Sequence, residues 1–250
     1  MTPALQTRGL AKRFGGFVAI DDVTLEVPAA SRHALIGPNG AGKTTLINLL
    51  TGFLEPTAGR VVLDGEDVTA LAQHQRVKRG LARTFQINRL FADMTVLETV
   101  MLAVCERRNL ATAWWKAAGD HVEAVDESAE LIARLRLSDV ANERTRNLAY
   151  GKQRLIEIAL ALAAKPRVLL LDEPAAGVPT RESRDLFDTI ARLPREVTIL
   201  LIEHDMDLVF RFADRIAVMV NGALLTEGAP EAIRNDPRVR QLYLGEAGHA

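Results

Sequence analysis

Long apolar runs in the second half of the chain predict strands that are buried on both faces. Val168–Leu171 is entirely apolar, Val197–Ile202 is apolar except at its second residue, and Ile216–Val220 adds a third run. Such runs are typical of a parallel sheet that helices cover on both sides. The shorter run Ala34–Ile36 is interpreted in the same way.

A different pattern, alternation of apolar and polar residues, occurs in the first third of the chain. Val23–Val27 alternates, and Val61–Val68 alternates around Asp64-Gly65, a dipeptide that favours a hairpin turn. Alternation of this kind predicts strands with one buried face. We therefore expect an antiparallel sheet near the N-terminus, in addition to the parallel one.

A helical period replaces both strand patterns in the middle of the chain. Apolar residues recur every three to four positions from Val122 to Leu135, with charged residues opposite. We interpret residues 88–159 as a helical subdomain inserted into one domain of 250 residues, whose core is formed by 1–87 and 160–235 and whose tail is 236–250. Trp114 and Trp115 lie in the insert; packing inside it is favoured, and a partner contact is the alternative.

The segment Gly37–Thr45 fits the phosphate-loop pattern G-x-x-x-x-G-K-[ST]. It lies between the strand Ala34–Ile36 and a predicted helix, 44–51, that Gly52 is placed to end. Backbone N–H groups in such a loop, and at the start of the following helix, bind phosphate oxygens. Lys43 is expected to neutralise the terminal phosphates and Thr44 to bind Mg²⁺. The predicted nucleotide-binding residues are Gly37, Pro38, Asn39, Gly40, Ala41, Gly42, Lys43, Thr44 and Thr45.

Acidic residues and a histidine follow two of the predicted buried strands. Asp172 and Glu173 come directly after Val168–Leu171, and His204 follows Val197–Ile202. The carboxyl ends of parallel strands form the edge at which ligands of open α/β folds bind. We expect Asp172 to bind Mg²⁺ through water, Glu173 to orient and deprotonate the attacking water, and His204 to contact the γ-phosphate.

Composition limits the possible classes of protein. Hydrophobic residues make up 48% of the 250 and the formal net charge is −1, which favours a globular protein without a general affinity for nucleic acid. One cysteine, no secretory segment and no apolar run of about 20 residues favour a cytoplasmic protein. The basic residues between 76 and 83 are expected to form a solvated helix face, with a contact surface as the alternative. They are Arg76, Lys78, Arg79 and Arg83.

The order of these motifs resembles that of the ATP-binding-cassette ATPases along nearly the whole chain. Leu148–Arg154 stands where that family has its signature segment, Thr84–Gln86 resembles its Q-loop, and Glu203–Asp205 resembles its switch-histidine segment. Phe14 is similar to the aromatic residue that stacks on adenine. The resemblance implies a P-loop NTPase (RecA-like) fold, an α/β parallel-sheet core with an antiparallel β subdomain and an inserted α-helical subdomain.

The resemblance also implies a mechanism and a set of partners. In this family ATP and Mg²⁺ are held between two cassette subunits, so a second ATPase subunit is expected, identical or different. The signature residues Ala149, Tyr150, Gly151 and Lys152 then face the γ-phosphate of the partner's ATP. Gln86 is expected to contact Mg²⁺ and the attacking water and to pass closure to a membrane subunit. Lys43, Gln86, Glu173 and His204 are the predicted catalytic residues.

Finer matches resemble the ATP-binding subunits of branched-chain amino acid importers. They are the segments Lys12–Gly16, Leu148–Gly151, Asp172–Gly177, Glu203–Met206, Asp236–Val239 and Tyr243–Glu246. The implied partners are transmembrane permease subunits and, indirectly, a solute-binding protein, with no nucleic acid. The implied location is the cytoplasmic face of the cell membrane, held peripherally. The transported solute cannot be read from this chain.

Four residues depart from the family pattern. Ala149 replaces serine and Lys152 replaces glutamine in the signature, Leu160 replaces a frequent arginine, and Pro179 replaces the Asp or Asn of the D-loop. The sequence leaves open whether Lys152, Leu160 and Pro179 weaken hydrolysis.

Three alternative functions stay open from the sequence. They are a lipopolysaccharide-export ATPase, a cassette protein of translation or DNA repair, and a GTPase or small-molecule kinase.

Overall fold

The computed structural model describes residues 3–84, 90–110 and 121–244, and the statements below concern these residues. The strands are β1 (Pro3–Phe14), β2 (Phe17–Val23), β3 (Glu26–Pro28), β4 (Arg32–Ile36), β5 (Ala58–Leu63), β6 (Glu66–Asp67), β7 (Leu81–Arg83), β8 (Val168–Asp172), β9 (Thr198–Ile202), β10 (Arg215–Val220) and β11 (Ala223–Gly228). The helices are α1 (Lys43–Thr51), α2 (Gln73–Lys78), α3 (Val96–Arg107), α4 (Val122–Arg134), α5 (Tyr150–Ala163), α6 (Thr180–Ala191), α7 (Met206–Phe212), α8 (Pro230–Asn235) and α9 (Pro237–Leu244).

The N-terminal strands form the antiparallel sheet that alternation predicted. Its order is β2-β1-β5-β6, with β3 paired to β1. The turn between β5 and β6 has positive φ at Asp64 (48°) and Gly65 (84°), as a tight hairpin turn requires. The expectation of one strand over Val23–Val27 was wrong, because β2 ends at Val23 and β3 begins at Glu26. Both β2 and β3 pair with β1, but they are separate strands.

The second sheet has the order β11-β10-β4-β9-β8-β7. The pairs β10–β4, β4–β9 and β8–β9 are parallel, which confirms the prediction from the apolar runs. Every residue of β4, β8 and β9 is buried. This sheet therefore places the ends of β4, β8 and β9 side by side, each followed by one of the predicted site segments.

Helices α3 and α4 lie in the middle of the chain, as predicted, but the buried face of α4 matches the expected one only in part. Its buried residues are Ala124, Ser128 and Ile132. The burial of Ile132 and Leu135 was predicted, but Val122 is 64% exposed, so the first part of the predicted stripe is displaced around the helix. Glu127 explains the displacement, because its carboxylate pairs with Arg107 (2.6 Å) and Arg108 (2.9 Å) at the end of α3. Because of these charged contacts, the face of α4 that carries Glu127 lies toward α3, whereas the periodicity predicted that it would face solvent.

The basic residues of α2 do not form one solvated face. Lys78 is exposed, but Arg76 is 1% exposed. Its guanidinium donates to the carbonyls of Leu49 and Leu50 (both 2.7 Å), near the end of α1. It also donates to the carbonyls of Leu71 and Thr69. Because the last carbonyls of a helix lack intrahelical donors, Arg76 serves as a cap for α1.

Two compact units can be distinguished by their internal contacts. One comprises the described residues of Met1–Leu81, Arg167–Glu173 and Arg195–Ala250, and the other those of Ala82–Pro166 and Pro174–Pro194. The finer boundaries proposed from the sequence, with a helical insert at 88–159, stay a prediction. Within the described ranges, no helix is long and apolar enough to cross a bilayer.

Candidate nucleotide site

The loop between β4 and α1 has a backbone that only glycine permits at two positions. A Cβ on Gly37 would lie 2.2 Å from the carbonyl oxygen of Met219. Gly42 has a φ of 99°, and a Cβ there would lie 2.8 Å from the carbonyl oxygen of Ala19. The two outer glycines of the predicted pattern are therefore required by close approach of neighbouring strands, and at Gly42 also by the left-handed backbone.

The start of α1 is suited to receive an anion. Gly42 precedes the helix without a side-chain cap, and the first turn contains no acidic residue. The first N–H groups of a helix have no intrahelical acceptor, and the helix dipole adds positive potential at the same place. The start of α1 and the loop before it thus fit a phosphate group by both shape and charge.

The Lys43 ammonium group lies over the loop that precedes it. It donates to the carbonyl oxygens of Gly37 (2.5 Å) and Pro38 (3.0 Å), and the residue is 9% exposed. A phosphate is a stronger acceptor for an ammonium group than a backbone carbonyl is. Lys43 therefore adds a positive charge to the same end of α1.

A cleft of about 320 Å³ opens beside this loop. Its lining residues are Phe17, Ala19, Asn39, Gly40, Ala41, Gly42, Lys43, Thr44, Thr45 and Glu173. Seven of them belong to the predicted phosphate loop, and Glu173 is the predicted base. The fold thus brings the end of β8 to the phosphate loop, which sequence alone could only infer.

Two adjacent carboxylates at the end of β8 have different environments. Asp172 ends the strand opposite Ile202 and is 4% exposed. Glu173 has a positive φ of 46°, and its N–H donates to the carbonyl of Ile202 at 2.9 Å. A non-glycine residue in this conformation costs about 1–3 kcal/mol and is frequent at functional sites. The turn brings the partly exposed Glu173 into the cleft, whereas Asp172 is not among the lining residues.

His204 follows β9 and is 65% exposed at its side chain. The backbone N–H of His204 donates to the carboxylate of Glu203 at 3.0 Å, and the ring Nδ1 of His204 lies 3.6 Å from the same carboxylate. Glu203 itself is fully buried. His204 does not line the cleft in this arrangement. A direct phosphate contact by His204 stays a prediction.

The aromatic side chains near the cleft differ from the expectation in one respect. Phe14 and Phe17 face each other across the β1–β2 hairpin. Phe14 is 47% exposed, with the Lys12 ammonium 5.2 Å from its ring centre, and Phe17 is 65% exposed. Phe17 lines the cleft and Phe14 does not. Sequence reasoning missed Phe17, although its place in the same hairpin as Phe14 was a usable indication.

The signature residues lie at the start of α5. Ala149 precedes the helix without a side-chain cap, and the N–H of Gly151 donates to the Glu182 carboxylate on α6 at 3.1 Å. Lys152 pairs with Asp139 at 2.6 Å. Glu182 was not predicted, because it is 31 residues away in sequence. The segment thus begins a helix, as the phosphate loop does.

Other predicted positions are less informative in the structure. Leu160 is partly buried in α5, and the exposed Pro179 directly precedes α6. Gln86, Trp114 and Trp115 lie outside the described residues. The roles of these three residues stay predictions.

Comparison with known families agrees with this geometry. The family profile described as "ABC transporter" matches residues 20–176. The chain belongs to the ABC transporter family. A second profile, described as "Branched-chain amino acid ATP-binding cassette transporter", matches residues 223–249. Both the family predicted from the motifs and its branched-chain amino acid subgroup are thereby confirmed, together with ATPase activity of the ABC type.

Relatives resemble the chain along its whole length. It is 44% identical to the high-affinity branched-chain amino acid transport ATP-binding protein BraF of Pseudomonas aeruginosa, over 98% of this chain and 99% of that protein. It is also 44% identical to LivG of Escherichia coli, with the same coverage. A probable LivG of Archaeoglobus fulgidus is 36% identical, over 96% and 95%.

Solved structures support the fold assignment. A nucleotide-free ATP-binding cassette from an ABC transporter superimposes with a TM-score of 0.83 at 34% identity, over 97% of this chain and 99% of the other. A cassette in its ADP conformation gives a TM-score of 0.85 at 33% identity, over 98% and 100%. The predicted P-loop α/β fold is therefore confirmed.

Proposed function

We propose that this ABC-family ATPase is the motor subunit of an importer for branched-chain amino acids or related small solutes. The names of the 44%-identical relatives and the match of residues 223–249 support this cargo class. The observation that carries the proposal is the cleft in which Lys43, Thr44 and Glu173 meet. A cation, a hydroxyl and a carboxylate there suit the binding and hydrolysis of a triphosphate.

Each residue has a role in this proposal. The N–H groups of the loop and of α1 bind phosphate oxygens, and Lys43 neutralises the terminal phosphates. Glu173 orients a water molecule and accepts its proton. Phe14 or Phe17 supplies an aromatic surface for the base, and stacking is largely indifferent to which base is bound. His204 contacts the γ-phosphate when the cassette closes.

The residues present also fit Mg²⁺. The hydroxyl of Thr44 and the carboxylate of Asp172 are oxygen donors of the kind that Mg²⁺ prefers, and these two residues would hold the ion together with the nucleotide. Among the described residues no group of three or more His, Cys, Asp or Glu could hold a metal. This agrees with a Mg²⁺ ion that is bound chiefly through the nucleotide. When bound, it would neutralise charge on the phosphates.

The proposed assembly follows from the family to which the chain belongs. Two cassettes enclose ATP, each bringing its α5 start to the nucleotide of the other, and permease subunits receive the resulting movement. A solute-binding protein delivers the cargo on the other side of the membrane. The chain is then peripheral to the membrane at its cytoplasmic face, and Gln86 links the nucleotide to the permease.

The test uses the transporter assembled from this chain and the subunits that co-purify with it. Glu173→Gln should lower ATP hydrolysis by at least about 100-fold while ATP binding persists, because the amide cannot accept the proton. Glu196→Gln, the same change at an exposed position of the same unit, is the matched control. Uptake of radiolabelled leucine into proteoliposomes tests the cargo. Undiminished ATP hydrolysis by the Glu173→Gln variant would refute the assignment of the base. ATP turnover that does not depend on leucine would refute the proposed cargo.

A further inference from the structure

A carboxylate from α6 meets the first turn of α5. The N–H of Gly151, the second residue of α5, donates to Oε2 of Glu182 at 3.1 Å. Glu182 is the third residue of α6 and is half-buried. This N–H is one of the groups that a helix start leaves without an intrahelical acceptor. Glu182 therefore satisfies a donor that α5 cannot satisfy by itself.

Glu182 also leaves little room for a side chain at position 151. A Cβ on Gly151 would lie 2.9 Å from Oε2 of Glu182 and 3.3 Å from its Cβ. The backbone of Gly151 does not have a positive φ, so its conformation does not require glycine. The residue at 151 is thus restricted by the side chain that lies against it.

A second contact joins the same two regions. A Cβ on Gly177, in the loop 174–179 before α6, would lie 3.3 Å from Cε1 of Tyr150, the first residue of α5. The Tyr150 hydroxyl accepts a hydrogen bond from Arg154 at 2.7 Å, and Arg154 pairs with Glu157 at 2.8 Å. The ring that lies against Gly177 is therefore held in place by its own helix.

The start of α6 is in turn bonded to the loop before it. The N–H of Ser183 donates to the carbonyl of Pro179 at 2.9 Å, and its hydroxyl donates to the carbonyl of Val178 at 3.1 Å. Glu182 lies between these bonds and Gly151. Hydrogen bonds therefore connect three segments, which are the loop 174–179, the start of α6 and the start of α5.

The Glu182 carboxylate in these connected segments takes the place of the helix cap that Ala149 cannot supply. A side-chain oxygen at the residue before a helix normally accepts from the second or third N–H, and alanine has none. Glu182 accepts from the second N–H of α5, the place where a serine at 149 would act. We propose that Glu182 is a positioning residue for γ-phosphate recognition, which fixes the direction of the first turn of α5. The proposal rests on the function proposed above, in which this turn faces the partner's ATP.

The experiment compares nucleotides that differ only in the γ-phosphate. In the assembled transporter, Glu182→Ala should raise KM for ATP about 5- to 10-fold, as expected for loss of a helix cap, with kcat changed less than about 3-fold. The Kd for ADP should not change. Glu182→Gln keeps an acceptor oxygen and should stay within about twofold of the wild type. Asp185→Ala, which removes an exposed acid from the same helix, is the matched control.

A second variant covers the case in which Glu182→Ala fails to fold. Gly151→Ala keeps the carboxylate but displaces it, and should raise KM for ATP to a similar extent. The double variant should be no worse than either single one, because the displaced group is already absent. Additive losses would overturn the coupling.

Two further results would overturn the proposal. An unchanged KM for ATP in Glu182→Ala would show that the carboxylate positions nothing. A lower KM would show that it competes with the phosphate. Both differ from failure of the proposed function, in which the unmodified transporter would not hydrolyse ATP or would be insensitive to Glu173→Gln.

Discussion

The helices α1 and α5 begin in similar ways but carry opposite charges at their starts. Neither has a side-chain cap on the residue before its first turn. At α1 the charge on the helix itself is the ammonium of Lys43, which donates to the carbonyls of Gly37 and Pro38. At α5 the charge comes from the carboxylate of Glu182 on α6, bonded to Gly151. The positive charge at the start of α1 attracts an incoming anion, whereas the start of α5 is stabilised by a carboxylate of the same chain.

This difference separates two tasks that a phosphate-binding helix can have. The start of α1 lines a cleft and is completed by an outside ligand. The start of α5 is formed before any ligand arrives, because Glu182 supplies the missing acceptor. The four predictions that follow break or sharpen this comparison.

The largest effect is expected at Lys43. Lys43→Ala should lower ATP hydrolysis by at least about 100-fold, because it removes a nearly buried cation directed at developing charge. Steady-state phosphate release by the assembled transporter measures the change. A variant that retains more than a tenth of wild-type turnover would show that α1 needs no added charge.

The glycines of the phosphate loop should differ from one another. Gly42→Ala places a Cβ 2.8 Å from the carbonyl of Ala19 and should cost about 3 kcal/mol of unfolding free energy or more. Gly40 also has a positive φ, but a Cβ there meets no described atom within 4 Å. Gly40→Ala should cost only about 1 kcal/mol. Urea unfolding measures both, and equal losses would contradict the steric argument.

Acid should weaken the unit that carries the phosphate loop. His33 on β4 is fully buried, and burial, with a smaller contribution from Arg215, lowers its pKa from 6.5 to about 4. Between these values the unfolded chain binds a proton that the folded one does not, so stability falls as the pH falls. The loss should reach roughly 2–3 kcal/mol near pH 4.5.

The control for this prediction is another histidine. His33→Leu should remove this part of the pH dependence, whereas His74→Leu, at an exposed position on α2, should leave it unchanged. Chemical unfolding at pH 7 and pH 4.5 compares the variants. An identical pH slope in wild type and His33→Leu would exclude His33 as the cause.

The smallest effect is expected at Lys152, the lysine at the start of α5. It pairs with the exposed Asp139 at 2.6 Å, and such surface pairs contribute about 0–1 kcal/mol. Lys152→Gln restores the residue that is usual in the family and should keep hydrolysis within about twofold of the wild type. A loss comparable to that of Lys43→Ala would show that both helix starts need a cation.

Features that depend on residues close together in the sequence were predicted correctly, whereas features that depend on residues far apart in the sequence were not. The glycine-rich turn between β4 and α1 was predicted, because the glycine and lysine spacing fixes a local backbone, and its binding of phosphate stays a prediction. The parallel strands were predicted because burial on both faces leaves no polar positions. Arg76 was misjudged, because its acceptors on α1 lie 26 and 27 residues away. The first part of the buried face of α4 was misjudged because Glu127 pairs with arginines at the end of another helix.

The same reasoning applies to the candidate site. Glu173 could be placed at the sheet edge by its strand, but its positive φ could not be read from the residue type. Phe17 reaches the cleft through the hairpin, and Glu182 reaches Gly151 from a distant helix. These contacts depend on how separate elements pack, which a pattern along one element does not contain.

The buried guanidinium beneath α1 has a consequence for how the chain matures. A nine-residue helix is marginal in water, and Arg76 donates to the carbonyls of Leu49 and Leu50 near its end, where the Leu49 carbonyl also accepts from the N–H of Gly52. During synthesis, this side-chain donor is missing until the ribosome has added roughly 25 further residues beyond the helix, plus the length of its exit tunnel. A nascent chain truncated before position 76 would therefore carry the complete glycine-rich motif and still lack a finished scaffold for it.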